Sequence, residues 1–126
     1  MCLDLREINK NIKIESYPIP TIQSITEAIG SPPPRYFSSL DCFHGYLQLR
    51  MHTDSSRLLG IQTDTKTFRM KRLPFGLATS PFVYQKLMNK LLSGYLYIFA
   101  AAYIDDIITY SRDFKTHRFT VTSGQV

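Results

Sequence analysis

Two acids stand side by side, Asp105-Asp106, between the apolar run Ile98–Ile104 and the resumed run Ile107–Tyr110. Adjacent ionised carboxylates repel each other, and apolar flanks hold them near low-dielectric surroundings. A divalent cation removes that cost, and Mg²⁺ prefers carboxylates together with substrate phosphates and water. A third acid, Asp41, ends another apolar stretch, Tyr36–Leu40. If the two stretches are neighbouring strands, Asp41, Asp105 and Asp106 converge. Such a cluster could hold two metal ions about 3.5–4 Å apart, the arrangement used for in-line displacement at phosphorus. An Asp-Asp pair is also ordinary turn chemistry. The pair alone therefore decides nothing; the weight comes from Tyr103-Ile104-Asp105-Asp106 lying between two apolar strands with a strand-terminal Asp41 upstream.

The elements that must carry these acids follow from the pattern along the chain. Leu3–Ile8 reads as a short strand and Asn9–Ile14 as a turn. Tyr17-Pro18-Ile19-Pro20 is extended, because proline restricts itself and the residue before it. Ile22, Ile25 and Ile29 share one helical face over Thr21–Ile29, and Gly30 ends that helix. Ser31–Pro34 is a loop. Tyr36–Leu40 is a strand running into Asp41. Over Tyr46–Met51, Leu47, Leu49 and Met51 alternate with Gln48 and Arg50, which predicts a half-buried strand. Leu58–Ile61 and Thr67–Met70 flank Asp64-Thr65-Lys66 as a β-hairpin, in a turn without the glycine that hairpins favour.

After the loop Leu73–Leu77, Thr79 or Ser80 caps a helix with Pro81 at its first position. That helix runs to about Leu92 with Phe82, Leu87, Leu91 and Met88 on its apolar face, and Gly94 stops it. Ile98–Ile104 is a buried strand, and the chain returns through Ile107–Tyr110, placing the two carboxylates at a hairpin tip. Together these elements predict an α+β fold with a mostly antiparallel sheet and packed helices.

Composition narrows the function classes. The 126 residues suffice for one compact domain, and 44% hydrophobic with 20% charged residues excludes a disordered chain. Fifteen Lys and Arg against ten Asp and Glu leave a net charge of +5, a balance that favours polyanionic partners. The cations are scattered except for Lys66, Arg69, Lys71 and Arg72, with Phe68 between them. This group is either a solvated hairpin edge or a contact for template phosphate. Cys2 and Cys42 have neither C-x-x-C spacing nor a histidine cluster, so neither zinc nor a disulfide framework is expected. The charged N-terminus is no signal peptide, and the apolar run Tyr95–Ile104 is too short to span a bilayer, so an intracellular protein without a membrane partner is expected.

Five motifs in order carry a family resemblance: Asp4-Leu5-Arg6-Glu7-Ile8-Asn9-Lys10 with Tyr17-Pro18-Ile19-Pro20; Phe37-Ser38-Ser39-Leu40-Asp41 with Gly45-Tyr46-Leu47-Gln48; Leu73-Pro74-Phe75-Gly76-Leu77; Ser80-Pro81 with Gln85; and Tyr103-Ile104-Asp105-Asp106. The sequence resembles the reverse transcriptases, closest in wording to LTR retrotransposons of the Ty3/gypsy type, over roughly residues 3 to 117. The resemblance implies part of a palm and fingers and an RNA-directed DNA polymerase. Asp41 and Asp105 would bind two Mg²⁺ ions directly, with Mn²⁺ as a substitute, and Asp106 would be a supporting carboxylate. Tyr46 would lie under the incoming sugar and exclude a 2′-hydroxyl by bulk. Phe75 and Gly76 would approach the nascent base pair and template, and Gln85 would lie on the helix beside the nucleic acid, where a solvated helix face is an equal alternative. Arg6 would lie near the template, where a surface ion pair is an equal alternative; Lys71 and Arg72 are the further nucleic-acid candidates. The implied partners are an RNA or DNA template–primer, a deoxynucleoside triphosphate and other segments of a retroelement polyprotein.

The chain departs from the family at both ends. The family's basic grip on the triphosphate precedes Asp4, and its thumb follows His117. Residues 1–117 are expected to be a partial fingers and palm domain, and 118–126 a divergent tail without a helical face. Exposed sheet surface would make such a chain poorly soluble or marginally stable. Two other functions are compatible with the acids. One is a catalytically inactive remnant that at most binds nucleic acid. The other is a metal-dependent nuclease, against which Tyr46 and the Leu-Pro-Phe-Gly loop speak.

Overall fold

Three strands bring the acidic segments together. A computed structural model describes residues 3–30 and 32–122. Cys2 and the last four residues of the expected tail, 123–126, lie outside the described residues, as does Ser31 in the proline loop. The chain divides into two compact units, residues 1–16 with 43–81 and residues 17–42 with 82–126.

The first unit begins with α1, Arg6–Asn11. A strand was expected over Leu3–Ile8, so this is a correction. Leu5, Ile8 and Ile12 fall at helical spacing, and all three pack in the cluster formed by Leu5, Leu59, Leu73 and Leu77. Leu3 and Leu5 alternate, and over so short a window the two periods cannot be separated by sequence.

The expected strand at Tyr46–Met51 is also corrected in part. Gly45–Gln48 forms a single turn, α3, entered from His44 in the left-handed region at φ 49°. Only Leu49 onward is extended, with Arg50 bridged to Arg72. Leu49 and Met51 reach the leucine cluster, so the alternation was correct for burial there. A further helix, α4 (Thr53–Leu58), had no sequence signal because it has no apolar stripe. Local polar contacts support it: the His52 ring accepts from the Asp54 N–H, and Ser56 Oγ donates to the Met70 carbonyl at 2.5 Å.

The expected hairpin is present, shortened to β2 (Gly60–Gln62) and β3 (Thr67–Arg69), with Ile61 opposite Phe68. Its turn does without glycine because Thr63 serves both sides of it. The Thr63 hydroxyl donates to the Lys66 carbonyl at 2.8 Å and accepts from the Lys66 N–H at 3.1 Å.

The second unit is built on an antiparallel sheet of β1 (Tyr36–Asp41), β5 (Asp106–Ser111) and β4 (Ala100–Tyr103), in the order β1-β5-β4. The fold class is therefore α+β with antiparallel strands, as expected. β4 is shorter than the apolar run suggested. Ile98 is 70% exposed, while Ala100, Ala101 and Ala102 are buried. Helix α2 (Ile22–Ile29) starts at Thr21, whose hydroxyl accepts from the Ser24 N–H at 3.1 Å, and ends at Gly30 with φ 80°, where a side chain would be strained. Ile25 and Ile29 pack on Ala101 and Tyr110, but Ile22 points to solvent.

Helix α5 (Ser80–Leu91) buries Met88 as expected, but otherwise turns in a different face from the one expected. Tyr84, Gln85 and Met88 are buried, followed by Leu92, whereas Leu91 is 63% exposed. A buried glutamine within the stripe hid the i, i+4, i+8 spacing of Tyr84, Met88 and Leu92. Ser80 does not act as a cap; its hydroxyl donates to the Pro74 carbonyl at 3.0 Å. Helix α6 (Phe114–Thr122) runs across the position where a tail without helical character was expected. Asp113 starts it by accepting from the Thr116 N–H at 2.8 Å, and that bond holds the Asp113 carboxyl below its ordinary range.

Candidate active site

Sheet register places the acids. Asp41, the last residue of β1, pairs with Asp106, the first residue of β5, and Asp106 pairs in turn with Tyr103. Directly opposed residues point to the same face, with Cβ atoms about 4.5–5.5 Å apart. Ile104 and Asp105 form the two-residue turn between β4 and β5. The chain just past Asp41 is tied to that turn, because the Cys42 N–H donates to the Asp105 carbonyl at 3.2 Å. Asp41 and Asp106 are exposed and Asp105 is half-buried, so the cluster is open to a substrate.

The turn is held in an unfavourable conformation. Ile104 has φ 55°, in the left-handed region that β-branched residues avoid. Such a residue costs about 1–3 kcal/mol and persists only where its surroundings over-determine it. Here the surroundings are Gln85. Its side chain is fully buried, and its Oε1 accepts from the Ile104 N–H at 2.7 Å. Its Nε2 donates to the Ala102 carbonyl at 3.1 Å and to Asn89 Oδ1 at 2.9 Å. Asn89 donates onward to the Tyr17 hydroxyl at 3.0 Å. Gln85 was expected on a face beside nucleic acid. It is instead sealed inside and grips the acidic hairpin by its backbone. Asn89 and Tyr17 carried no signal as members of this chain of bonds, because the spacing from Gln85 to Asn89 reads only as one helical turn.

In the first unit the structure brings together two expected substrate residues. The rings of Tyr46 and Phe75 meet edge-on with centroids 5.2 Å apart. Gly76 supplies a φ of 84° to the loop between them and α5. Asn9 clamps that loop: its Nδ2 donates to the Gly76 carbonyl and its Oδ1 accepts from the Ala78 N–H, both at 2.8 Å. In the sequence Asn9 stands only as part of a motif, since its partners lie 67 and 69 residues away. Arg6 is engaged with Asp4 at 2.6 Å, which holds the Asp4 carboxyl below its ordinary range, so the surface ion pair is what the fold provides. Lys71 and Arg72 are exposed, and Arg72 Nη1 donates to the Gln48 carbonyl at 2.7 Å.

The donor set suits a hard divalent cation: three carboxylates, all oxygen, on one end of one sheet. Among the described residues, the side chains are not gathered into a group of three that encloses an ion. The fit thus rests on donor chemistry and backbone register, with waters and substrate oxygens left to complete the coordination, as Mg²⁺ usually requires.

The reverse transcriptase (RNA-dependent DNA polymerase) family matches residues 1–123. The chain belongs to that family. It is 31% identical over 121 residues to a putative enzymatic polyprotein of cassava vein mosaic virus, a match covering 96% of this chain and 18% of that protein. It is also 31% identical over 117 residues to the retrovirus-related Pol polyprotein from transposon opus of Drosophila melanogaster, covering 93% of this chain and 12% of that one. The chain therefore spans less than a fifth of these relatives. The fold is similar to that of the prototype foamy virus protease-reverse transcriptase, with a TM-score of 0.83 at 25% identity over 98% of this chain and 16% of that one. A foamy viral protease-reverse transcriptase solved in complex with an RNA/DNA hybrid gives the same TM-score, 0.83, at 21% identity, covering 98% of this chain and 16% of that one. The expected fragment of a reverse-transcriptase fold, helices packed with an antiparallel sheet, is thus the fold observed. Among the described residues no helix is long and apolar enough to cross a membrane.

Proposed function

We propose that Asp41, Asp105 and Asp106 form the metal site of an RNA-directed DNA polymerase of the Ty3/gypsy retrotransposon type. It would add a deoxynucleoside monophosphate to a primer 3′-hydroxyl on an RNA or DNA template, as a segment of a larger polyprotein. The observation that carries this reading is the pairing of Asp41 with Asp106 beside a two-residue turn that contains Asp105.

Asp41 and Asp105 would hold two Mg²⁺ ions, or Mn²⁺ in their place, and Asp106 would support them. Bound ions supply Lewis-acid stabilisation of the phosphoryl oxygens and lower the pKa of the attacking hydroxyl. The protein's part is to aim. Gln85 fixes the backbone of the turn, so the Asp105 carboxylate is presented without a reorganisation cost during the reaction. Tyr46, half-buried and braced by Phe75, supplies the bulk that rejects a 2′-hydroxyl. Phe75 and Gly76, on the loop clamped by Asn9, face the nascent pair.

Primer extension on a poly-A template with oligo-dT, Mg²⁺ and dTTP tests the reading, beside an Asp105→Asn, Asp106→Asn variant. Template-dependent extension that disappears in the variant is expected. Extension that persists in the variant would overturn it. So would cleavage of labelled DNA by Mg²⁺ alone, with no extension, which would favour a nuclease.

A further inference from the structure

The first unit contains a second feature that polymerase chemistry at the acids does not use. A cavity of about 430 Å³ is lined by Arg50, Arg69, Lys71 and Arg72, together with Thr53 and Ser56. The backbone forces these cations together. Arg50 and Arg72 are directly opposed across an antiparallel bridge, and the Met51 N–H donates to the Lys71 carbonyl at 3.0 Å. Like charges placed directly opposite destabilise a pairing. No carboxylate among the described residues forms an ion pair with any of the four; the nearest acid in sequence, Asp54, is engaged by Arg57 at 3.6 Å. Arg72 is further fixed by its bond to the Gln48 carbonyl. The repulsion is therefore built in and uncompensated within the described protein.

We infer that this cavity binds a phosphate group of the nucleic-acid backbone. A concave site of one sign focuses its field on an incoming counter-ion. Arginine's planar fork suits phosphate oxygens in a bidentate manner. The volume lies in the range of ligand pockets, about 300–1,000 Å³, and exceeds what a lone inorganic ion fills. An extended phosphodiester, entering and leaving with its sugars, fits such an open site. The inference rests on the nucleic-acid reading above and adds to it Arg50, which the linear sequence did not connect with Arg69, Lys71 and Arg72.

The test is binding of a labelled RNA/DNA duplex by the 126-residue chain across a salt series, comparing wild type, Arg50→Gln/Arg69→Gln, and a charge-matched Lys13→Gln/Lys90→Gln control. All four positions are exposed, and a denaturation midpoint checks that each variant folds. Losing the one phosphate contact should flatten the slope of log K against log salt by about 0.9, and the first variant should bind at least about 10-fold more weakly, well beyond the control. Equal losses in both variants, with the wild type binding duplex, would overturn the cavity while leaving the polymerase reading intact. A wild type that binds no duplex would overturn both. Inorganic phosphate is the second probe. Duplex displaced by millimolar phosphate from the wild type and the control, but not from Arg50→Gln/Arg69→Gln, would identify a free-phosphate site and overturn the backbone assignment. If the Gln variant does not fold, the wild-type slope and the phosphate competition still decide.

Discussion

Under the proposed function, the two units would meet opposite demands. The second unit carries six cations and five acids, so it is nearly balanced, and three of its acids are the candidate metal ligands. The first unit carries nine cations and five acids. Around the acids, position is over-determined: strand register, a backbone hydrogen bond from the Cys42 N–H to the Asp105 carbonyl and a buried amide all fix the same few residues. Around the cations, the backbone is held by a bridge, the Met51–Lys71 bond and the β2–β3 pairing, but of the four side chains only that of Arg72 is tied down. Stabilising a reacting phosphoryl group demands sub-ångström placement, whereas attracting a polyanion demands only charge within a Debye length. The amount of supporting structure follows the tolerance of each task.

The largest effect that can break this comparison comes from the acids themselves. Asp41→Asn and Asp105→Asn should each lower primer extension by about a thousand-fold or more, since metal and electrostatic stabilisation contribute several kcal/mol to such barriers. Asp106→Asn should cost less, as a supporting carboxylate. All three should leave duplex affinity unchanged or raised slightly, because a negative charge is removed. A loss of extension no larger for Asp105 than for Asp106 would mean that the two roles have been assigned the wrong way round.

Next in size is Gln85→Leu. It leaves the Ile104 N–H and Asn89 Oδ1 without their present partner in a buried place, a cost of about 3 kcal/mol in the denaturation free energy. Extension should fall in kcat with little change in the KM for dTTP, since the turn is misaimed while the nucleotide's own contacts remain. Gln85→Glu keeps an acceptor for the Ile104 N–H and should recover part of the kcat. A KM effect without a kcat effect would return Gln85 to the substrate-facing role first expected of it.

How much of this was legible follows the same division. The acidic hairpin, its partner strand, α2 and the β2–β3 hairpin were readable because apolar runs and turn residues agree over each of them. Helices α1 and α4 were not, because one is too short for its period to show and the other has no apolar stripe. The three acids were legible as residue types. The reason they sit where they do was not, since Gln85 acts through backbone atoms 17 and 19 residues away and a glutamine inside an apolar face reads as exposed. Likewise Lys71 and Arg72 were visible as a local charge run, while Arg50 joins them only through the bridge.

A smaller effect separates strain from function. Ile104→Asn suits the left-handed conformation better and should stabilise the fold by about 1 kcal/mol, read as a raised denaturation midpoint. If the strained turn serves the acids, extension should fall despite that gain. A variant that is both more stable and fully active would mean that the strain has no part in the chemistry.

The smallest expected effect lies in the first unit and sharpens the contrast. Thr63→Val removes the hydroxyl that spans the glycine-free turn and should cost about 1 kcal/mol. The β2–β3 strands hold only three residues each, so the loss should appear as faster amide exchange across Gly60–Arg69. The turn it closes lies between the hairpin strands, whereas Asp41, Asp105 and Asp106 are set by bonds within the second unit. Primer extension per folded molecule should therefore stay within about two-fold of wild type. Duplex affinity should weaken more than extension does, because Arg69 ends β3 and loosens with it. Equal weakening of both would show that the hairpin contributes to placement as well as to charge, and the division of labour between the two units would fail there.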